Sequence, residues 1–120
     1  MAEILIVDDD HHLRQGFQRL LDAEGYETRT AASAEEALNL MREKMPQCVV
    51  MDVRMPGMDG LEALKAIRSK DSSANVVMCS AMGQEGMVMD AVRSGAKDFI
   101  VKPFKPDRVL KTVNNILGTP

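Results

Sequence analysis

Apolar residues along the chain alternate between short continuous runs and stripes at helical spacing. The runs Ile4–Val7, Cys48–Met51, Val76–Cys79 and Phe99–Val101 read as buried strands. Tyr26–Ala31, richer in Thr and charge, reads as an edge strand. Between them, Leu13, Phe17, Leu20 and Leu21 form one stripe, closed by Gly25 just past the helix end. Ala34, Ala37, Leu38 and Met41 form the second; Ser33 and Glu36 have the spacing of a capping box, and Pro46 marks the end. Asp59 and Glu62 repeat that spacing ahead of Leu61, Leu64 and Ile67. A fourth helix carries Val88, Ala91 and Val92 and stops before Gly95. A fifth opens with Pro106 and runs through Val109, Val113, Ile116 and Leu117.

Five strand–helix repeats with short connections predict right-handed crossovers and a parallel sheet covered on both faces. No linker, internal repeat or low-complexity segment interrupts residues 1–120, so the expectation is one α/β domain. The chain stops three residues after Leu117, and no attached effector domain is expected.

Composition narrows the function. The 120 residues carry 15 Lys+Arg and 18 Asp+Glu, a net charge of -3 with no basic run, which argues against direct nucleic-acid binding. The content of 45% hydrophobic and 28% charged residues is that of a globular protein. No apolar run approaches the roughly 20 residues of a spanning helix, and no signal segment opens the chain, so the expected location is cytoplasmic. Cys48 and Cys79 sit inside apolar runs and read as buried free thiols.

The informative residues leave the strands. Strand one exits into Asp8, Asp9 and Asp10, strand three into Asp52, strand four into Ser80 and strand five into Lys102. In open parallel sheets ligands bind beyond these carboxyl ends. A single Asp there is commonly the N-cap of the next helix, and Asp10 reads as one. Several carboxylates converging on one end repel each other unless a cation compensates, and an all-oxygen donor set suits a hard divalent ion such as Mg2+. Lys102 adds a point charge for an anion and Ser80 a hydrogen-bond donor. Carboxylate, metal, lysine and hydroxyl together describe phosphoryl transfer to an aspartate.

These residues resemble the receiver (CheY-like) domain of two-component response regulators, over essentially the whole chain. The resemblance rests on Val7-Asp8-Asp9, on Met51-Asp52 followed by Met55-Pro56-Gly57-Met58-Asp59-Gly60, on Cys79-Ser80-Ala81, and on Gly95 to Phe104 with Lys102-Pro103. It implies a doubly wound (βα)5 flavodoxin-like sheet of strand order 2-1-3-4-5. It implies Asp52 as the acceptor of a phosphoryl group from a phosphohistidine, with Asp9, Asp52 and the Arg54 backbone carbonyl as Mg2+ ligands and Asp8 acting through a water. Mn2+ is expected to substitute. Ser80 and Lys102 would bind phosphoryl oxygens, and the Lys102-Pro103 peptide would be cis. Ser80 and Phe99 would be the switch, Ser80 moving inward and the Phe99 ring following. Ser80 lacks the methyl of the commoner Thr, and Phe99 lacks the hydroxyl of the family's frequent Tyr. Arg54 and Met82, two residues past Asp52 and Ser80, are read as slowing hydrolysis.

The implied partners are a sensor histidine kinase or histidine phosphotransfer protein and an output target on the face formed by helix four, strand five and helix five. The implied state is a monomer, with phosphorylation-dependent dimerisation as the alternative, and the activity is that of a signalling phospho-acceptor with weak self-phosphorylation from small donors and self-dephosphorylation rather than of an enzyme. A receiver excised from a DNA-binding or ATPase regulator and a contact-only pseudo-receiver are the alternatives. A haloacid-dehalogenase-type phosphatase needs Asp-x-Asp, which Asp52-Val53-Arg54 and Asp8-Asp9 lack. A flavin mononucleotide module needs a neutral phosphate loop where Asp8-Asp9-Asp10 stands. His11 and His12 read as solvated. Met41, Met51 and Met78 read as core, and one of Met87 and Met89 as an exposed contact.

Overall fold

The computed structural model describes residues 2–55, 57, 59–81, 85–103 and 105–118. Met82, Gly83 and the motif residues Pro56, Met58 and Phe104 lie outside them. Strands β1 (Glu3–Val7), β2 (Glu27–Ala31), β3 (Cys48–Asp52), β4 (Val76–Ala81) and β5 (Asp98–Lys102) form one parallel sheet ordered β2-β1-β3-β4-β5. Helices α1 (His11–Ala23), α2 (Ala34–Glu43), α3 (Gly60–Lys70), α4 (Glu85–Arg93) and α5 (Pro106–Leu117) alternate with them.

The period-two alternation of the strands builds two cores. Leu5, Val7, Val49, Met51, Val76 and Met78 face one way, against Ala34, Ala37 and Met41 of α2, Ala63, Leu64 and Ile67 of α3, and Ala91 of α4. Ile4, Ile6, Cys48, Val50, Val77, Cys79 and Ile100 face the other, against Phe17 and Leu21 of α1 and Val109 and Val113 of α5. Each Val, Leu, Ile, Phe or Met among them contributes roughly 1.5–3 kcal/mol on burial. Both thiols are free and buried, and desolvation pushes each up to about 12, so they are inert at neutral pH.

Local signals hold the helix ends. Asp10, Ser33 and Asp59 cap α1, α2 and α3 by accepting from backbone N–H groups. Glu36 closes its box one residue early, accepting from Ala32 N–H at 3.3 Å. Gly25 takes φ +90° to end α1, a conformation glycine adopts at little cost. Pro106 opens α5.

Three expectations are corrected. β4 continues past Cys79 to Ala81, which sets Ser80 inside the strand opposite Val101. β5 is the second edge of the sheet rather than a buried strand. Only Ile100 is fully buried in it, and Val101 is 40% exposed, because an edge strand has a neighbour on one side alone. Val92 is 46% exposed rather than part of the core; on α4 the inward positions are Val88 and Ala91.

At Gly60 the start of α3 lies directly against the backbone at the end of β3. A Cβ built there would lie 2.0 Å from the Asp52 carbonyl oxygen and 2.9 Å from Val53 Cα, both backbone atoms. The Gly60 N–H also donates to the Val53 carbonyl at 2.9 Å. We expect Gly60→Ala to destabilise the fold by about 2–4 kcal/mol, as overpacking against unyielding backbone does. Urea denaturation checks this; a loss below about 1 kcal/mol would mean that the segment after Asp52 yields easily.

Candidate functional site

The carboxyl ends of β1 and β3, adjacent at the centre of the sheet, deliver the acidic residues. Asp8 follows β1 directly and is 2% exposed, while its N–H donates to the Ala31 carbonyl at 3.2 Å. Its Oδ1 accepts from Asp10 N–H at 2.9 Å, a turn that hands the chain to the α1 cap. Asp52 closes β3 and its Oδ1 accepts from Arg54 N–H at 3.1 Å. Asp9 is exposed at the apex of the first turn. One carboxylate oxygen from each of Asp8, Asp9 and Asp52 lies within 4.8 Å of the others.

Lys102 ends β5, two strands away from β3, and its ammonium reaches both buried acids. Nζ is 2.9 Å from Asp52 Oδ2 and 3.1 Å from Asp8 Oδ2. The pairing with Asp8 was not foreseen from sequence. Desolvation by burial, ahead of the opposing backbone hydrogen bond and Lys102 charge, holds the Asp8 carboxyl above the usual carboxylate range. For Lys102 desolvation is the largest single influence and pulls the ammonium down. The hydrogen bond and charge of Asp52, joined by Asp8, outweigh it, and the net shift is upward.

Three carboxylates against one ammonium leave this end of the sheet negative, and their oxygens fit a hard divalent cation such as Mg2+. Ser80 is 1% exposed, and its Oγ has no hydrogen-bond partner among the described residues. A buried orphan hydroxyl is uncommon and costs free energy unless a ligand satisfies it, as a phosphoryl oxygen would. A cleft of about 450 Å³ lined by Leu13, Ala81, Lys102 and Pro103 opens beside these groups. The Lys102-Pro103 peptide is cis.

The expected switch and modulating residues are less concentrated. Phe99 is half-buried on β5 opposite Met78, and its carbonyl accepts from Arg108 Nη2 at 3.0 Å. The Arg54 side chain is exposed, and Met82 lies outside the described residues. Met89 is 52% exposed on α4, whereas Met87 packs against the core. His11 and His12 are exposed, and His11 Nδ1 accepts from Arg14 at 3.2 Å.

Two residues escaped the sequence reading. Gly60 was visible only as a member of a motif. Arg14 gave no signal, since an arginine on the polar side of an amphipathic helix is ordinarily solvated; here its Nη1 donates to the Asp8 carbonyl at 2.7 Å.

A family profile described as the response regulator receiver domain matches residues 4–114. The chemotaxis protein CheY of Bacillus subtilis (strain 168) is 48% identical over 116 residues, covering 96% of this chain and 97% of that protein. The C4-dicarboxylate transport transcriptional regulatory protein DctD of Pseudomonas aeruginosa is 36% identical over 97% of this chain but only 25% of its own length. The crystal structure of the receiver domain of NtrX from Brucella abortus superposes with a TM-score of 0.93 at 39% identity, covering 98% of this chain and 99% of that one. With this sheet order, a cluster of carboxylates at the strand ends and these relatives, the chain belongs to the CheY-like response regulator receiver domains of two-component systems.

Proposed function

We propose that this receiver domain takes a phosphoryl group from a phosphohistidine of a sensor histidine kinase or histidine phosphotransfer protein onto Asp52. The observation that carries the reading is the Asp8–Lys102–Asp52 arrangement beside the orphan Ser80 hydroxyl. An Asp52 carboxylate oxygen attacks phosphorus, the P–N bond breaks, and the imidazole nitrogen departs with its electron pair and takes a proton from solvent. Lys102 is already within reach of Asp52 and transfers its pairing to a phosphoryl oxygen, while Ser80 Oγ donates to another. Asp9, Asp52, the Arg54 carbonyl and, through a water, Asp8 would hold Mg2+ or Mn2+, which when bound neutralises charge developing on the transferred group.

Output goes through the face of α4, β5 and α5: Ser80, buried in β4, shifts toward the new anion and the Phe99 ring on β5 follows. Met89 and Val92 on α4 and Val101 on β5 supply exposed apolar contacts on that face for a target protein. Similarity along nearly the full length of chemotaxis CheY favours a target that is a separate protein. The match to a quarter of DctD supports the second reading, a receiver joined to an output domain.

Intact mass spectrometry tests the transfer. After incubation with acetyl phosphate and Mg2+ we expect a gain of one phosphoryl group, abolished without Mg2+ and in Asp52→Asn. No gain, under conditions that label another receiver, would leave the contact-only pseudo-receiver in its place. The long Arg54 side chain two residues past Asp52 impedes the hydrolytic water, so Arg54→Ala should lose the label several-fold faster; unchanged decay would refute this.

Stability supplies a separate check. The buried Asp8 charge sits beside Asp52 and Asp9, so Asp8→Asn should stabilise the metal-free protein by about 1 kcal/mol and remove most of its stabilisation by Mg2+. Because the folded-state carboxyl titrates above its ordinary value of 3.8, ionising Asp8 opposes folding. The gain from Asn is therefore full at neutral pH, shrinks as pH falls through the raised folded value, and is gone below 3.8. Melting curves across pH without metal, compared with the parent, would show the wrong sign if Asp8 were net stabilising.

A further inference from the structure

In the Asp8–Asp9 turn, Asp8 is held at every polar group. Asp8 N–H goes to Ala31, its Oδ1 to Asp10 N–H, its Oδ2 to Lys102, and its carbonyl to Arg14 Nη1 at 2.7 Å, six residues on in α1. Arg14 is itself steadied, since Nη2 donates to His11 Nδ1 at 3.2 Å. The carboxylate of Asp9 differs. Among the described residues it has no hydrogen bond or ion pair, and it is exposed. Its direction is therefore set by the backbone, and first by the peptide plane joining Asp8 to Asp9, because that plane carries the Asp8 carbonyl at one side and the Asp9 nitrogen at the other. The hydrogen bond from the Arg14 guanidinium fixes that plane.

We propose that Arg14 is a positioning residue for the metal site: by gripping the Asp8 carbonyl it aims the otherwise unsupported Asp9 carboxylate at the point where the Asp8 and Asp52 oxygens converge. This rests on the reading of that cluster as a divalent-cation site. Groups behind a metal ligand commonly change affinity by 10–100-fold when removed. The opposite expectation is equally definite if Arg14 acts only as a charge. Deleting a cation near three carboxylates would tighten Mg2+ binding, because the remaining field is more negative. The sign separates the two roles.

Calorimetric titration of the metal-free protein with Mg2+ reads this directly, in the parent, in Arg14→Ala and in Arg14→Met, which keeps the aliphatic bulk should the alanine variant fold poorly. We expect both variants to bind Mg2+ about tenfold more weakly, and saturating Mg2+ to restore the phosphoryl gain from acetyl phosphate. The Asp10 amide, which donates to Asp8 Oδ1 at 2.9 Å, should also exchange with solvent roughly tenfold faster in the metal-free variants, while amides of β3 and β4 keep the parent's protection. Mg2+ affinity unchanged within twofold, or increased, overturns the positioning role. A parent that binds no Mg2+ overturns the cation-site reading and this inference with it. Weaker binding accompanied by lost protection throughout the sheet would identify Arg14 as merely structural and also overturn it.

Discussion

The mutual repulsion of Asp8, Asp9 and Asp52 is the constraint around which this fold is arranged. Two of these acids emerge from the two innermost neighbouring strands, where the sheet is covered on both faces and water screens least. Folding without a counter-charge there would be costly, and the chain supplies one from its far edge. Lys102 is the last residue of the last strand, so the site closes only when β5 has docked beside β4. The chemistry is thereby made conditional on the complete sheet. The same ammonium is the only side chain that pairs with both Asp8 and Asp52 among the described residues, which makes it the natural point of exchange when an anion arrives.

The two buried acids are used in the same way. Each gives Oδ1 to the backbone N–H two residues later, Asp8 to Asp10 and Asp52 to Arg54, and each gives Oδ2 to Lys102. One oxygen shapes the loop while the other faces the cation, so the carboxylate plane has little freedom left. Asn would preserve the loop half of this arrangement at either position and change only the outward half. Asp9 lacks such a self-made turn, and its order is borrowed from α1.

Much of this was legible in the sequence, for physical reasons that differ from element to element. The apolar runs of β1, β3 and β4 are buried on both faces and so carry no polar interruptions, and the capping residues Asp10, Ser33 and Asp59 act within three positions of themselves. The strand-end acids stood out because charge directly after an apolar run is hard to explain by packing. What could not be read depends on distant neighbours. The pattern of Phe99–Val101 is as apolar as that of Val76–Cys79, and its place at an edge follows only from the strand order, which the family resemblance implied and the pattern did not. Val92 fits a helical stripe, yet α4 has room for just part of that stripe against the core. The closeness of Gly60 to the Asp52 carbonyl and the reach of Arg14 to Asp8 are tertiary distances with no local pattern.

The alternation that builds two cores has a consequence at the sheet's end. Cys48 and Val50 share a face with α1 and α5, which sets Asp52 on that side; Ile100 does the same for Lys102. Val76 and Met78 face α2, α3 and α4, and Ser80 continues their parity, as Phe99 and Val101 oppose that of Ile100. The sheet thus acts as a partition between two compartments. Charge is gathered on one side of it, and the hydroxyl and the aromatic ring belong to the other. A phosphoryl group placed on Asp52 by the proposed transfer would have to act around the rim of the partition to reach Ser80 on the far side.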